Sequence, residues 1–443
     1  MRSTSCLALV LILGACDSTT PPPPRPDAGP RVDAGDTPMD AGPPGDGGGD
    51  FDGGPDFDGG PGEDAGGPLT DGGTPTCTAD PMDRHKLATD TGGGDRILGL
   101  AAGGDAFGIV WNETREGQPD LFGRRIPTSG MLGDEQRITN QFSRENPPAL
   151  LAVGTQWLAT WVDNEGSSGF DLRAQVLGAN LAPMGTAQAL TNTATLLEDG
   201  PTLLNLSDGP FVLWVEDDMM AGTRTARSRP LGTDGSPRGA TQAVSEAGQR
   251  PGQVAIGELA SGPVAFWSEG VGLDQELLMQ RLGRDGARAG APTPITAEAN
   301  SDGTVDAAIS PADGGALVFG VLVSGVRREV RFRAMGSDGT LLGAEIPLIS
   351  PPTIGSDASI VPFAGGYAVA YRGDSMDGMG SRIFFLLVDG LGNVLDEAAI
   401  GPAAERGGRL TLRVTGTGVL AVAWVDDDTD GRAINVQLVR CGG

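Results

Sequence analysis

The sequence predicts an all-β chain, and three observations predict it. A short apolar run recurs seven times at nearly constant spacing. Tight-turn dipeptides follow most copies at a fixed offset. Glycine is abundant (72 of 443 residues) while only 20% of residues are charged. The best-defined copy is Gln156–Asp163, QWLATWVD, and each copy ends in an aromatic anchor: Trp111, Trp161, Trp214, Trp267, Phe319, Tyr371 and Trp424. Consecutive anchors are 50, 53, 53, 52, 52 and 53 residues apart, a regularity that sets an architecture of stacked, equivalent units. Many short strands joined by many turns suit such a chain. Four strands per period of about 52 residues match a seven-bladed β-propeller, in which each blade covers its neighbour's face. A fibronectin-type sandwich would need nearly twice that period. Six blades, with one copy misread, is the alternative.

The chain opens on a different material. Arg2 precedes an apolar run at residues 7–13, which reads as a secretory leader and is too short to span a bilayer as a mature helix. The run ends in Leu13-Gly14-Ala15-Cys16. LGAC resembles the bacterial lipobox, which implies cleavage before Cys16 and acylation of its thiol; several acyl chains together anchor stably where one does not. Asp17 favours the inner membrane in enteric bacteria, a rule that does not extend to all lineages. The choice of membrane therefore stays open, with the outer membrane or cell surface preferred.

Residues 17–76 carry thirteen acidic residues against Arg25 and Arg31, with runs such as PPPPRPDAGP and FDGGPDFDGG. Little here can be buried to offset ordering entropy, so a disordered, extended tether is expected. Sixty such residues would hold a domain roughly 50–100 Å from the membrane. FDGGPDFDGG could supply calcium ligands, but a solvated spacer explains it better. Asp- and Gly-rich tethers of this kind, ahead of a repeat of about 52 residues, resemble those of uncharacterised myxobacterial surface lipoproteins. That resemblance implies fold and location, not activity.

From Cys77 onward each copy reads as four strands. In the second copy these are residues 149–153, 156–162, 171–177 and 188–191. Phe107, Ile109 and Trp111 fall on one side of a second strand and Val110 on the other, so that strand is expected to be apolar on both faces. The third strands lead into TSGM, GANL, TDGS, RDGA, SDGT and GLGN, placed 19 to 21 residues past the anchors at Gly130, Asn180, Gly235, Gly286, Gly339 and Gly392. Such pairs supply the positive φ a tight turn needs. Short outer strands follow with a shared signature: RITN, ALTN, AVSE, PITA and PLIS.

The seventh copy stops at Gly443, nineteen residues past Trp424, where its turn should be. Its missing outer strand is expected at the other end of the domain. KLATDT (86–91) places Thr89 22 residues ahead of Trp111, the offset of RITN and its relatives from the next anchor. The N-terminal strand should therefore complete the last blade, the closure used by WD-repeat propellers. With Cys6 in the leader and Cys16 acylated, Cys77 and Cys441 remain, one just before the borrowed strand and one just after its partner. In an exported protein a disulfide is expected there. A Cys-ligated metal site would lack its other two ligands.

Net charge is −27, which disfavours nucleic acid and anionic lipid surfaces as partners. Acidic residues gather between second and third strands: Glu113 and Glu116, Asp163 and Glu165, Glu216 to Asp218, Glu269 and Asp274, Asp374 and Asp377. A carboxylate lies two residues past most anchors (Glu113, Asp163, Glu216, Glu269, Asp426). An arginine often follows on strand three, with Asp120–Arg125 and Glu276–Arg281 as expected pairs. A repeated ion pair is the preferred reading, and an acidic recognition face for cations or a basic partner is the rival. Asp426, Asp428, Asp430 and Gly431 spell DxDxDG, a loop that can wrap calcium, although Gln437 stands where an EF-hand needs its twelfth-position carboxylate.

His85 is the only histidine and falls on the closing strand, which argues against a Ser–His–Asp triad or His-ligated zinc. Sialidase chemistry needs a tyrosine nucleophile, and of Tyr367 and Tyr371 the latter occupies the anchor column. Paired-carboxylate glycoside hydrolysis stays possible, because carboxylate separations are invisible in sequence. The expected function is a non-catalytic protein- or glycan-binding scaffold, monomeric and lipid-anchored at the bacterial cell envelope. Calcium is the one cofactor to consider, and an exported polysaccharide hydrolase is the alternative.

Overall fold

The computed structural model describes residues 76–443 except 91–97, 116, 141–144, 165–169, 194–195, 272–273, 297–300, 325–326, 350–353, 375–380, 403–409, 429–430 and 443. The expected leader (1–16), its acylation position Cys16 and all of the tether but Thr76 lie outside the described residues. The rest forms seven antiparallel sheets, six of them with four strands in chain order: 98–137, 145–189, 197–243, 251–294, 301–347 and 354–402. These are blades 1 to 6. The seventh contains Thr411–Val414, Leu420–Asp428 and Gly431–Gly442, whose outer edge pairs with Thr76–Thr78 and Arg84–Asp90. The first strand of each blade lies against the first strand of the next, and that of blade 7 against that of blade 1, so the ring is closed. Seven blades, not six, is the count.

Packing follows from alternation along the second strands. Phe107, Ile109 and Trp111 join one cluster with Ala423, Ile434 and Val436 of blade 7, while Val110 joins another with Leu150, Trp157 and Trp161 of blade 2. Seven such clusters occur among the described residues, one at each seam, and every anchor faces the preceding blade. All seven anchors are buried. Truncating a fully buried aromatic of this kind costs about 3–5 kcal/mol, which accounts for the narrow period.

The turns between third and fourth strands seat each blade on the one before it. Gly286 lies beneath Ser228, whose Oγ donates to its carbonyl at 2.8 Å, and Gly392 rests on the Phe332 ring. Five of these turns place glycine at φ between 77° and 88°. Blade 2 departs from the expectation: the left-handed residue is Leu181 (φ 67°), one position past Asn180. Asn180 Oδ1 instead accepts from the Ala182 N–H at 3.2 Å, and the Leu181 side chain is buried in the blade 1–2 seam.

The outer strands also differ from the sequence reading. In blades 1 to 4 only Glu135–Arg137, Gln188–Ala189, Gln242–Ala243 and Thr293–Pro294 pair as strands. Each strand ends on the first residue of the signature, and the rest of it comes just after. Ile138, Leu190, Val244 and Ile295 are buried, and the following hydroxyl replaces a backbone acceptor. Leu121, Leu172, Ala226 and Leu277 N–H donate to the hydroxyls of Thr139, Thr191, Ser245 and Thr296 at 2.8–3.0 Å. Blades 5 and 6 keep long outer strands, Leu341–Pro347 and Val394–Pro402.

Blade 7 closes as expected, with the borrowed strand beginning at Arg84. Its outer strand comes in two pieces, separated by a 3-10 turn at Pro81–Asp83 that Asp80 caps by accepting from Met82 N–H at 2.8 Å. Buried Gln437 fills the break by donating to the Asp80 carbonyl at 2.8 Å. Cys77 faces Cys441 directly across the sheet, and the two are disulfide-bonded. Arg440 reaches the Thr128 carbonyl of blade 1 at 2.6 Å and Asp83 at 2.9 Å, tying last blade to first.

Candidate functional site

The hairpins joining second to third strands share a face with the connections between blades. The carboxylates two residues past the anchors stand at its base. Residues two apart on a strand share a side, so each can reach the ring of its own anchor. A buried indole N–H needs an acceptor, and Trp111 and Trp267 Nε1 donate to Glu113 and Glu269 at 3.1 and 3.2 Å. Phe319 has no donor, and the corresponding residue is Val321. Elsewhere the carboxylate holds an arginine: Glu113 with Arg115 (2.7 Å), Asp163 with Arg173 (3.4 Å), Glu216 with Arg227 (2.6 Å) and Asp426 with Arg84 (3.3 Å). Arg84 also lies 5.1 Å over the Trp424 ring, so the closing strand is fixed to the last anchor by charge and by cation–π contact. Arg115 is held in its charged form by Glu135 and Glu113.

The repeated ion pair is therefore present, but not through the two pairs expected. Residues five apart on a strand point to opposite sides. Asp120 pairs with Arg137, and Arg125 with Asp105 at 2.7 Å. Arg281 bonds Ser261 Oγ at 3.3 Å and the Asp338 carbonyl instead of Glu276. Of the remaining loop acids, Glu116, Glu165 and Asp377, together with the side chains of Asp274 and Asp374, lie outside the described residues.

The DxDxDG segment is a tight hairpin: strand pairing runs to Asp428 opposite Gly431. Asp426 is buried and paired with Arg84, while Asp430 and the Asp428 side chain lie outside the described residues. Among the described residues no group of three or more His, Cys, Asp or Glu side chains is placed to hold a metal ion. His85 sits on the closing strand opposite Val436, and burial lowers its pKa against the pull of Asp83. Tyr371 is a core residue: burial raises its pKa, and its hydroxyl donates to Glu397 at 2.9 Å.

The sequence reading missed the most perturbed acid on this face. Glu198 begins the first strand of blade 3 and lies directly across from Glu216. Asp171 begins the third strand of blade 2, and the two segments meet where Glu198 N–H donates to the Phe170 carbonyl at 3.2 Å. Both side chains are buried, Glu198 at 3% exposure and Asp171 at 8%. Thr193 bridges them: its N–H donates to Asp171 Oδ1 at 2.7 Å and its hydroxyl to Glu198 Oε1 at 3.1 Å. Glu198 Oε2 has no partner among the described residues. Burial raises the Glu198 carboxyl to about 8; the Thr193 and Thr191 hydroxyls oppose this, and the negative charges of Asp171 and Glu216 add to it. At neutral pH it is mostly the uncharged carboxylic acid. Asp171 was legible in outline, since Asp120 and Glu276 occupy the same place on their third strands. Glu198 had a partial signal, since Asp95 and Glu145 also stand sixteen residues ahead of their anchors, but it stops at Pro251 in the next blade.

No family model matches this sequence, and no curated protein matches it either. Solved structures do. A puromycin-hydrolysing peptidase of Mycobacterium tuberculosis is 14% identical with a TM-score of 0.49, over 76% of this chain and 52% of that one. A structure from a study of two prolyl endopeptidases is 15% identical (TM-score 0.47; 77% and 46% covered). The β-propeller domain of the trilobed protease from Pyrococcus furiosus is 8% identical (TM-score 0.47; 78% and 96% covered). The chain thus spans about half the length of the two peptidases. At these identities the likeness is one of fold alone.

Proposed function

We propose that this chain is a lipid-anchored protein of the bacterial cell envelope whose propeller acts as a non-catalytic binding or scaffold module for protein or glycan. The lipobox-like LGAC at Cys16 and the acidic tether support the location, as does the resemblance to myxobacterial surface lipoproteins. One observation carries the binding role. Glu113, Asp163, Glu216, Glu269 and Asp426 each hold an indole, guanidinium or backbone N–H of the ring, giving the loops above them a fixed base. Rigid elements of this kind hold recognition loops in place. Calcium at Asp426, Asp428 and Asp430 is the cofactor tested with it.

The test is a pull-down from envelope extract with the oxidised mature chain, in calcium and in EDTA, followed by binding of the identified partner in purified form. Saturable binding that is lost in EDTA supports both module and calcium hairpin; binding in both buffers supports the module and removes calcium. A second reading, an exported polysaccharide hydrolase, is favoured by the raised Glu198 carboxyl beside Asp171, since glycoside hydrolysis uses a pair of carboxyl groups. Release of reducing sugar that disappears in Glu198→Gln would replace the binding reading.

A further inference from the structure

We infer that the outer edge of blade 6 is a docking site for an extended basic segment of another protein, which adds to the sheet as a further strand. The seven outer edges are not alike. Blades 1 to 4 end in outer strands of two or three residues. Blade 7 is finished by the N-terminal strand and the disulfide. Blade 6 alone ends in a strand of 9 residues, Val394–Pro402, which bulges against its neighbour at Leu395 and Ile400, and among the described residues nothing pairs with its outer side. A long free edge is a template for another strand unless its sequence blunts it, usually with lysine, proline or a strong bulge. Here the only proline is Pro402, at the strand's far end, there is no lysine, and the two bulges leave Asp396–Ala399 between them in regular register.

The side chains point the same way. Leu391, Val394 and Leu395 are 71, 42 and 47% exposed, at one end of this edge. Leu342 of blade 5, 49% exposed, lies on the same corner. The turn containing Leu391 rests on Phe332, and Leu342 pairs with Ala334, on the same side of that strand as Phe332. Asp396 and Glu397 follow Leu395 directly, on a chain of net charge −27. Strand addition takes affinity from main-chain bonds and specificity from alternate side chains. The occupant that fits is an extended peptide with apolar residues and arginine or lysine in alternation. A second copy fits poorly, because antiparallel self-pairing would bring like carboxylates opposite one another.

The test titrates the full oxidised chain against three fluorescent peptides: alternating valine and arginine, alternating valine and glutamate, and the first peptide N-methylated at consecutive central residues. The valine–arginine peptide should bind and slow amide exchange across residues 394–401. The other two should bind at least about tenfold more weakly, as should the first peptide to the Val394→Ser, Leu395→Ser double variant. Both substituted side chains are well exposed, so that variant should keep its fold, and the N-methylated peptide tests the same point on the unaltered protein. Equal affinity for the N-methylated peptide, no loss in the double variant, or no binding of the valine–arginine peptide would overturn the inference. A concentration-dependent dimer abolished by the same double variant would also overturn it, in favour of a second copy.

Discussion

At Glu198, burial outweighs the two threonine hydroxyls that favour its charged form, and the carboxyl titrates at about 8 in place of 4.5. A raised folded-state value means that the native protein binds the proton more tightly than the unfolded chain. Its stabilising effect is complete below about 4.5 and is lost as pH rises through about 8. Thermal unfolding followed from pH 5 to 9 should therefore show a fall in Tm that Glu198→Gln removes, with the variant the more stable form at high pH. A wild-type Tm that is flat across that range would contradict the assignment. Leu181 gives a second residue-scale prediction. Its left-handed backbone costs about 1–2 kcal/mol, which its buried side chain offsets. Leu181→Ala keeps the strain and loses the packing, whereas Leu181→Gly loses the packing but relieves the strain. Glycine should be the better tolerated of the two, by about 1 kcal/mol in denaturant unfolding. Leu181 was not legible in the sequence, because the other turns place glycine where it stands; Glu198 shares its column with Asp95 and Glu145, but the burial that perturbs it does not show in a repeat.

At the scale of the blade, the sequence reading was accurate wherever a residue type recurs for one physical reason. The anchors are buried rings facing the preceding blade, and the acids two residues on serve indoles and arginines of the same blade. RITN, ALTN, AVSE and PITA were recognised as outer-edge segments, but their mechanism was hidden. Pattern alone does not distinguish a strand from a clasp in which a hydroxyl takes the place of a carbonyl. Thr296 makes the point testable, since its Oγ1 accepts from Leu277 N–H at 3.0 Å in a buried setting. Thr296→Val keeps the shape and strands that donor, which should cost about 1–3 kcal/mol, while Thr296→Ser should cost much less. Faster exchange of the Leu277 amide in the valine variant alone would locate the effect.

For the ring as a whole, closure is where sequence and structure meet most closely, and the reason is arithmetic. A chain one strand short at its end, and one strand long at its beginning, has one economical way to satisfy both edges. What the repeat did not show is the break at Pro81–Asp83, where Gln437 substitutes for a ladder, because the N-terminal segment has no sibling to compare with. The disulfide joins residues 364 apart in sequence, so its removal should be costly, on the order of 4–5 kcal/mol in the chain-entropy account. Cys77→Ser with Cys441→Ser should lower Tm accordingly and make the N-terminal strand the first segment to open.

Hydrogen exchange read by mass spectrometry tests closure most directly, on the oxidised chain and on that double serine variant. In the oxidised chain, residues 84–90 should be protected to the same degree as residues 432–437, their partners across the sheet. In the variant, both segments should lose protection together while the second strands of blades 2 to 5 keep theirs. Fast exchange at 84–90 in the oxidised chain, with 432–437 still protected, would contradict the closed ring.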